Sequence, residues 1–559
     1  MFKRDFFRHV GAAQKKTRNA SIFVYVEGYH NSLVITRKEA FRVNTSTRQK
    51  WLRRKRRIAR RNRVRRFKAR AKPMLAARNI HYEMSDRTRA VGCGGIGSIH
   101  LLAGKVGLID AIDRDLHLLK VHLPYHESDH VLNIAYNVLC GGDCLQDLEL
   151  LRNDEAHLDA LGASRIPDPT TAGDFCRRFE SADQVNALQE AINSTRVGVW
   201  RKQPAEFFAQ ATIDADGTIA PTDAECKQGI DISYNGQWSY HPLVVSLANT
   251  KEPLFLLNRP GNRPSHEQAA AYLDKAIALC RDAGFKQILL RGDTDFSQTA
   301  HLDRWDDQKD VTFLFGIDAH ANLKLAAELL DPSAWKRLAR PPRYQVETEE
   351  RTKPKNVKQK VIERRNFENL RLQCEHVAEI DYRPVKCRKS YRLIICRKTI
   401  DVEMGGEKLW DEYRYFFYIS NDRAESAAEL VLSANQRCDQ ENLIEQLKNG
   451  VSAMRLPTDD LISNWAYMVM ASLAWTLKAW WGLMLPQDGL PGASAREVRA
   501  RQKRDVVRME FKRFVNTVVR LPAQIIKTGR RLLYRLLSYS PWQEPLLDGV
   551  AAWRTRAQC

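Results

Sequence analysis

Five short apolar or β-branched runs constrain the fold of this chain more than any other feature. They lie at 210–214, 241–248, 253–257, 287–290 and 311–317. A stretch with helical spacing at 266–284 separates the third run from the fourth. Short runs of this composition predict strands, and strands interrupted by helices predict a mixed α/β arrangement. We therefore expect an α/β core built on a mixed sheet.

Different patterns flank these runs. Apolar residues recur at helical spacing before them, and short strand-like runs at 391–396 and 413–420 predict a β-rich insertion after them. Helical signal then returns, and a basic amphipathic tail follows, which we predict to be helical. The predicted units are a basic arm (1–85), a helical domain (86–205), the first part of the core (206–330), the insertion (331–420), the last part of the core (421–490) and the tail (491–559).

Positive charge is concentrated near the amino terminus. The 559 residues carry a formal net charge of +22, and residues 48–72 contribute fifteen Lys or Arg and no acid. Such a block predicts a flexible or conditionally helical arm that binds nucleic acid without sequence preference, with a solubilising tail as the alternative. The overall charge indicates a polyanionic partner but does not separate DNA, RNA and anionic lipid.

Cysteine use and hydropathy favour a reducing, cytoplasmic setting. The eleven cysteines do not form a secreted framework, and the first residues lack the apolar stretch of a signal peptide. The stretch from Leu461 to Leu485 is long enough to span a bilayer but contains Asn464 and Lys478. We expect a buried amphipathic helix there and no membrane partner.

Two acidic pairs follow the first and fourth predicted strands. Alternation along a strand places Asp214 and Asp216 on the same face. Asp293 and Asp295 repeat the arrangement after the fourth strand, where open α/β sheets usually bind their ligands. Carboxylates in these places suit a metal ion. For either pair taken alone, turn caps or solvated loop residues are the alternative.

A third motif lies on a predicted helix from Ala434 to Lys448. At 100° per residue, Arg437, Glu441 and Lys448 share one face. A carboxylate flanked by two cations suits a metal beside a phosphate. The alternative is an ion-pair ladder that faces solvent.

Together these motifs resemble the ribonuclease-H-like core of DDE transposases, with Asp after the first strand, Asp after the fourth and Glu on a late helix. The third motif fits the Tyr-x2-Arg-x3-Glu-x6-Lys signature of insertion-sequence-four-like transposases, with Ala434 where the signature has Tyr. The phrases DLELLRND, ALGASRIPDPTTAGDF, RPGN, RGDTDF and NQRCDQENLIEQLKNG are similar to the insertion-sequence group numbered thirteen-eighty. The resemblance covers roughly residues 86–534.

The resemblance implies that Asp216, Asp293 and Glu441 are the catalytic triad. Asp216 is preferred over Asp214 because the family pattern is Asp-x-Thr, and Asp295 is the alternative to Asp293. The triad would hold two divalent ions, with Mg²⁺ as the cofactor and Mn²⁺ as a substitute.

Three cations are implied as DNA contacts, namely Arg437, Lys448 and Arg291. The helical domain would bind DNA, and the insertion would help to hold a transposon end. Trp410, Tyr413 and Tyr415 are available there for stacking on a base, although strand packing is the ordinary role of such alternation.

The function implied is that of a DNA transposase that binds the terminal inverted repeats of its element, cleaves the ends and transfers the 3′ hydroxyls to target DNA. Two ends must be brought together, so we expect a homodimer on double-stranded DNA, associated with the nucleoid. The alternatives are a catalytically inactive DNA-binding relative and a metal-dependent nuclease without strand transfer.

Two short motifs match the residue patterns of known binding sites, but their sequence context predicts other structures. His126 to His130 reads HExxH, but Pro124 just upstream predicts a helix start with Ser128 or Asp129 as the N-cap. Gly92–Gly97 reads GxGxxG without a preceding strand and predicts a turn.

The cysteines at 140 and 144 are close in sequence. Cys140 and Cys144 lack a second ligand pair nearby, so we expect no metal there.

Overall fold

The computed structural model describes residues 45–62, 77, 80–82, 88–341, 357–487, 490, 492–529 and 531–554. Its helices are α1 (Thr45–Asn62), α2 (Ile96–Val106), α3 (Leu108–Asp115), α4 (Glu127–Cys140), α5 (Leu148–Arg152), α6 (Glu155–Leu161), α7 (Pro169–Arg177), α8 (Ala182–Trp200), α9 (Ala269–Ala283), α10 (Leu302–Asp306), α11 (Ala321–Glu328), α12 (Val357–Arg365), α13 (Ala427–Asn435), α14 (Cys438–Glu445), α15 (Leu461–Leu483), α16 (Gly492–Arg508), α17 (Phe511–Phe514) and α18 (Gln543–Trp553).

The strands form one large sheet and two small ones. They are β1 (Ala90–Val91), β2 (Ala211–Gly217), β3 (Ala220–Pro221), β4 (Asp231–Ile232), β5 (Trp238–Tyr240), β6 (Leu243–Leu247), β7 (Glu252–Leu257), β8 (Ile288–Gly292), β9 (Val311–Ile317), β10 (Lys336–Arg337), β11 (Glu368–Tyr382), β12 (Tyr391–Met404), β13 (Glu407–Ser420), β14 (Ala523–Thr528) and β15 (Arg531–Leu536).

The nine-stranded sheet has the order β10-β11-β12-β13-β9-β8-β2-β6-β7. Strands β2, β8 and β9 run parallel, whereas β6 and β7 are antiparallel neighbours on the other side of β2. The five predicted runs are strands β2, β6, β7, β8 and β9, so the prediction of a mixed α/β sheet is confirmed. Because β2 and β8 are parallel, their carboxyl ends lie at the same edge of the sheet.

The β-rich insertion continues the core sheet instead of forming a separate layer. Strand β13 pairs with β9 through Ser420 with Leu314 and Phe417 with Ile317. The predicted runs at 391–396 and 413–420 lie within β12 and β13, but each of these strands is 14 residues long. Their distal halves carry many charged residues, which is why hydropathy marked only the proximal halves.

Helix α15 runs through the centre of the protein. Every residue from Ser463 to Leu483 is buried, so the helix is enclosed on all sides. The expectation that this helix is amphipathic is therefore wrong. The Nζ of Lys478 donates to the carbonyl oxygens of Val507 and Met509, at 3.0 and 2.7 Å. Within the described residues, no helix is both long and apolar enough to cross a membrane.

A buried carboxylate joins the predicted helical domain to the sheet. Glu252 on β7 is fully buried and accepts hydrogen bonds from Arg196 (3.0 Å), Trp200 (3.0 Å) and Trp480 (2.7 Å). Arg196 and Trp200 belong to α8, whereas Trp480 belongs to α15. Buried charges are retained only when paired and hydrogen-bonded, so this network fixes the three elements together.

The carboxyl-terminal region contains a β-hairpin, so the prediction that the tail is helical throughout is wrong for residues 523–536. Strands β14 and β15 pair with each other, and β1 adds to β14 through Ala90 with Gln524. The sequences AQIIKT and RLLYRL alternate between more and less exposed positions, which is the pattern of strands. The basic residues of this region disguised that alternation.

The glycine run at 92–97 packs against this hairpin region. Gly94 and Gly95 donate backbone hydrogen bonds to the carbonyl oxygens of Leu521 (2.8 Å) and Val519 (2.9 Å). A Cβ on Gly95 would lie 2.0 Å from the carbonyl oxygen of Val518. The predicted turn is present, but the expectation that no strand precedes it is wrong, because the two-residue strand β1 ends at Val91. Gly97 already belongs to α2. Close backbone approach, and not nucleotide binding, accounts for these glycines.

Part of the predicted flexible arm is an ordered helix. Helix α1 docks on the carboxyl-terminal region, where Trp51 donates to the carbonyl oxygen of Ser540 (3.3 Å) and Arg54 to that of Leu536 (2.5 Å). These partners lie far away in sequence, so the charge pattern alone did not reveal them. Apart from Ala77 and residues 80–82, the rest of 1–85 lies outside the described residues.

The HExxH stretch is the start of a helix, but the predicted N-cap is two or three positions too late. His126 is the N-cap of α4, and its backbone N–H donates to Asp129 (2.9 Å). Ser128 instead donates its hydroxyl to Asp113 (2.9 Å). The ring of His130 stacks on Phe175, with centroids 4.3 Å apart.

Candidate active site

Two of the predicted carboxylates lie at the carboxyl edge of the central parallel strands. Asp216 is the penultimate residue of β2, and Asp293 directly follows β8. Asp293 caps the short turn Thr294–Phe296, because its Oδ1 accepts the backbone N–H of Asp295 at 3.0 Å. This bond fixes the orientation of the Asp293 carboxylate.

The third carboxylate, Glu441, lies on a helix that is shorter than the sequence pattern predicts. The predicted single helix from Ala434 to Lys448 is in fact two helices and a π turn: α13 ends at Asn435, α14 begins at Cys438, and Gln446–Gly450 forms the π turn. Arg437 lies in the break and is the N-cap residue of α14. Single π turns inside helices are frequent at functional sites.

Helix α14 is anchored to the sheet by the residue next to Glu441. Gln440 is buried; its Nε2 donates to the carbonyl oxygen of Val244 at 3.0 Å, and its Oε1 accepts from the hydroxyl of Ser246. Asp439 forms a 3.1 Å ion pair with Lys251. These contacts hold α14 against β6 and thereby bring Glu441 to the same edge as Asp216.

The guanidinium of Arg437 lies among the three carboxylates. Its Nη1 is 2.9 Å from Asp216, and its Nη2 is 3.7 Å from Asp293 and 3.8 Å from Glu441. The side chain of Asp216 is 15% exposed, that of Asp293 35% and that of Glu441 62%. The structure therefore brings all three predicted triad residues around one positive charge, at the boundary between core and solvent.

Burial disfavours the charged forms of Asp216, Asp293 and Lys448. It raises the pKa of Asp216 to about 6, against the opposing effect of Arg437. It also raises the pKa of Asp293 and lowers that of Lys448. Ionised carboxylates crowded in a partly buried site attract a compensating cation, which Arg437 supplies in this structure.

Asp214 and Arg291 form a separate, structural pair. Nε and Nη2 of Arg291 bind the two carboxylate oxygens of Asp214 at 2.7 and 2.8 Å, and both side chains are almost fully buried. The remaining Nη1 donates to the carbonyl oxygen of Ser433 at 2.8 Å. The prediction that Arg291 contacts DNA is therefore corrected, because its donors are turned inward and tie β2, β8 and α13 together.

An open cavity of about 750 Å³ lies in front of Asp216 and Asp293. Asp216, Asp293, Asp295 and Lys448 line it. Lys448 also lines a second cavity of about 810 Å³, where Arg455, Lys512 and Arg520 add positive charge. The carboxylate cluster thus opens onto a cationic surface through Lys448.

Sequence reasoning missed the loop that forms the far wall of the first cavity. His241, Arg263 and His266 line this wall, and His241 Nδ1 is 2.8 Å from the carbonyl oxygen of Arg263. Buried Arg259 organises the loop through hydrogen bonds to the carbonyl oxygens of His241 (2.9 Å) and Glu267 (2.7 Å). The only sequence signal for this wall was the RPGN phrase that begins at Arg259.

The aromatic residues proposed for stacking differ in exposure. The exposed fractions of Trp410 and Tyr413 are 58% and 53%, whereas Tyr415 packs near Trp335 with ring centroids 6.4 Å apart. Arg397 lies over the rings of both Trp335 and Tyr413. Trp410 and Tyr413 are therefore accessible to a partner, and Tyr415 is a packing residue.

The chemistry of the donor set fits a hard divalent cation. The three acids offer only oxygen ligands, which Mg²⁺ and Mn²⁺ prefer, and they already surround a positive charge. Arg437 and Lys448 add donors suited to a phosphate beside such an ion. The arrangement is thus equipped for metal-assisted chemistry on a phosphodiester.

Comparison with known proteins gives a family match over most of the chain. The family described as "Transposase DDE domain group 1" matches residues 88–557. No curated protein matches in sequence. Among solved structures, the chain is similar to the piggyBac transposase in a cryo-EM synaptic complex with hairpin DNA, at 9% identity over 77% of this chain and 82% of that chain. The TM-score is 0.34, at which the likeness carries no argument.

Proposed function

The chain belongs to the transposase DDE domain group 1 family, and from that membership we propose that it cleaves the ends of a mobile DNA element and joins their 3′ hydroxyls to target DNA. Members of the family act in DNA transposition. The further steps, namely recognition of terminal inverted repeats, end cleavage and strand transfer, are the proposal.

The observation that carries this proposal is the convergence of three carboxylates from distant parts of the chain. Asp216, Asp293 and Glu441 all lie within 4 Å of the Arg437 guanidinium. The strand positions also support a ribonuclease-H-like core, since Asp216 is the penultimate residue of the first strand of the large sheet and Asp293 follows the fourth.

Each acid has a distinct position from which to hold a metal. Asp216 is fixed by its strand, Asp293 by its capping bond to Asp295, and Glu441 by the anchored helix α14. Two bound Mg²⁺ ions would supply activation of the attacking hydroxyl or water and stabilisation of the leaving oxygen. For the acids to serve as ligands, Arg437 must give up part of its contact with the cluster.

The cations would position the DNA. Arg437 offers a planar fork to a phosphate beside the acids, whereas Lys448 offers a point charge between the two cavities. The second cavity, with Lys512 and Arg520, supports a path for the DNA backbone away from the cleavage point. Arg291 has no part in this proposal.

We also propose a transposase class for this chain and an oligomeric state for its active complex. The Arg437, Glu441 and Lys448 signature supports the insertion-sequence-four-like class, and the RPGN loop, which lines the first cavity, supports the group numbered thirteen-eighty. Joining two ends requires two active sites, so the active complex would be a homodimer on double-stranded DNA. The helical region 86–205 would contribute to end binding.

The test is Mg²⁺-dependent cleavage and joining of a labelled duplex that carries the end of the flanking element. Wild type should yield joined product, and Glu441→Ala should yield none while it still binds the duplex. Cys438→Ala is the matched control, because it changes an exposed residue of the same helix. Cleavage without joining would replace the proposal with a nuclease, and binding without cleavage by wild type would replace it with an inactive relative.

A further inference from the structure

Two cysteines and a histidine meet outside the carboxylate site. The Sγ atoms of Cys93 and Cys140 and a ring nitrogen of His157 all lie within 4.8 Å of one another. Sγ of Cys93 is 3.7 Å from Nδ1 of His157. Neither the family match nor the carboxylate chemistry gives this cluster a role.

Each member of the cluster is held by a different element. Cys93 lies in the glycine turn before α2, Cys140 is the last residue of α4, and His157 belongs to α6. The turn is fixed by the backbone bonds of Gly94 and Gly95 to the carboxyl-terminal region. Helix α6 is fixed by Asp154, which caps it through the backbone N–H groups of Ala156 and His157. The three side chains are therefore positioned independently and still converge.

The separation of the Cys93 sulfur and the His157 nitrogen matches a tetrahedral metal site. Zinc binds thiolate sulfur at about 2.3 Å and imidazole nitrogen at about 2.0–2.1 Å, which in a tetrahedron places sulfur and nitrogen about 3.6 Å apart. The observed sulfur–nitrogen distance of 3.7 Å needs almost no movement of Cys93 or His157. Two thiolates and an imidazole are also the ligand chemistry that selects zinc over Mg²⁺ or Ca²⁺.

Burial and charge favour the same occupant. Cys93 is 7% exposed and His157 1%, whereas Cys140 is partly exposed beside the cationic cavity that Gly141 lines. Two thiolates in this interior would need a compensating cation, which zinc supplies.

The other group with metal-ligand spacing has a different explanation. Asp143, Cys144 and Asp147 lie together, but the Asp147 carboxylate already accepts from the backbone N–H groups of Asp143 (2.8 Å) and Cys144 (3.2 Å). It also accepts from the Cys144 thiol at 3.4 Å. This group is a capped turn, which makes Cys144 a suitable control.

We propose that Cys93, Cys140 and His157 form a three-residue zinc site that fastens the glycine turn to helices α4 and α6. A water molecule would complete the tetrahedron. Zinc binding releases the thiol protons and adds its binding free energy to folding. Because the glycine turn also holds the carboxyl-terminal region, the site secures the docking of β14 and β15 on the helical domain.

The experiment measures zinc in full-length protein by mass spectrometry of the metal. The parent protein in this experiment is Asp216→Asn, and every variant carries the same substitution. Metal binding at the carboxylate cluster is thereby suppressed, and the outcome does not depend on the proposed transposase chemistry. The parent and the Cys144→Ser control should contain about one zinc per chain, and Cys140→Ser and His157→Gln less than about a tenth of that. Zinc retained in both ligand variants would overturn the proposal.

Two further measurements apply to folded parent protein and keep the test valid if a ligand variant fails to fold. Cobalt substitution should give sulfur-to-cobalt charge-transfer absorption in the parent and in Cys144→Ser. A chelator should lower the melting temperature of both. A parent that takes up no zinc on reconstitution, or that carries a Cys93–Cys140 disulfide by thiol counting and peptide mass, would overturn the proposal.

Discussion

Arg437 donates a 2.9 Å hydrogen bond to Asp216, although 221 positions separate the two residues in the chain. The same guanidinium lies 3.7 Å from Asp293 and 3.8 Å from Glu441. A fixed cation thus offsets part of the negative charge of the cluster. A metal ion that enters must share the carboxylates with this arginine or displace it.

Arg437→Gln should therefore bind Mn²⁺ more tightly than wild type and yet cleave DNA more slowly. Two unit charges about 4 Å apart interact by about 4 kcal/mol at an effective dielectric constant of about 20. Recovering a third of that energy would raise metal affinity about tenfold. Calorimetry with Mn²⁺ measures the affinity, and Arg263→Gln at the cavity wall is the control. Unchanged or weaker binding would contradict a competing role for Arg437.

Asp216→Asn should raise the melting temperature at pH 8 when no divalent metal is present. Burial raises the pKa of Asp216 from 3.8 to about 6 in the folded protein, so the folded state holds a proton that the unfolded state has released. Stability is therefore lost as pH rises from about 4 through about 6, by up to about 3 kcal/mol, and the loss persists above that range.

The difference from wild type should be a few degrees at pH 8 and should vanish near pH 4. Scanning calorimetry at both values checks this, with Asp295→Asn as the control. Added Mg²⁺ should narrow the difference at pH 8, because it binds the ionised wild type. A melting temperature of Asp216→Asn at or below that of wild type at pH 8 would show that burial is not the dominant effect.

Arg291→Met should destabilise the whole protein and not merely weaken DNA binding. It leaves the buried carboxylate of Asp214 without its partner, which typically costs about 3–5 kcal/mol. Asp214→Leu in the same chain should restore part of the loss. Arg304→Met, which removes a surface pair with Asp274, should cost at most about 1 kcal/mol. A normal melting temperature with reduced DNA affinity would reinstate Arg291 as a DNA contact.

Lys512→Ala should reduce DNA affinity while Mn²⁺ affinity stays unchanged. Lys512 lines the second cavity and not the carboxylate cavity. Removing one cation that neutralises a phosphate should reduce the slope of log affinity against log salt by about 0.9. A salt titration of duplex binding checks this, with Lys324→Ala on α11 as the control. Equal slopes for the two variants would place the DNA elsewhere.

The core strands were predictable because they are apolar on both faces. Strands β6, β7 and β8 are buried along their whole length, so hydropathy alone marked them. Strand β11 was missed because polar and charged residues occupy most of its 15 positions. The carboxyl-terminal hairpin was misread as helix because short amphipathic segments do not distinguish the two periods when basic residues interrupt them.

The acids of the candidate site could be predicted from the sequence, whereas the side chains that pair with one another there could not. Carboxylates after strands are visible in a sequence, so Asp216 and Asp293 could be nominated. The pairing of Asp214 with Arg291 depends on two neighbouring strands and was invisible, so Arg291 was assigned to DNA. The meeting of Cys93, Cys140 and His157 depends on three separate elements, which no local spacing encodes.

The pairing of β1 with β14 has a consequence for synthesis on the ribosome. Ala90 leaves the exit tunnel long before its partner Gln524 is translated. At about 5–20 residues per second, the first strand waits on the order of tens of seconds for the second. The pairing of β1 with β14 therefore forms only near the end of translation. A message that stops before codon 518 yields a chain whose glycine turn and first strand both lack their neighbours.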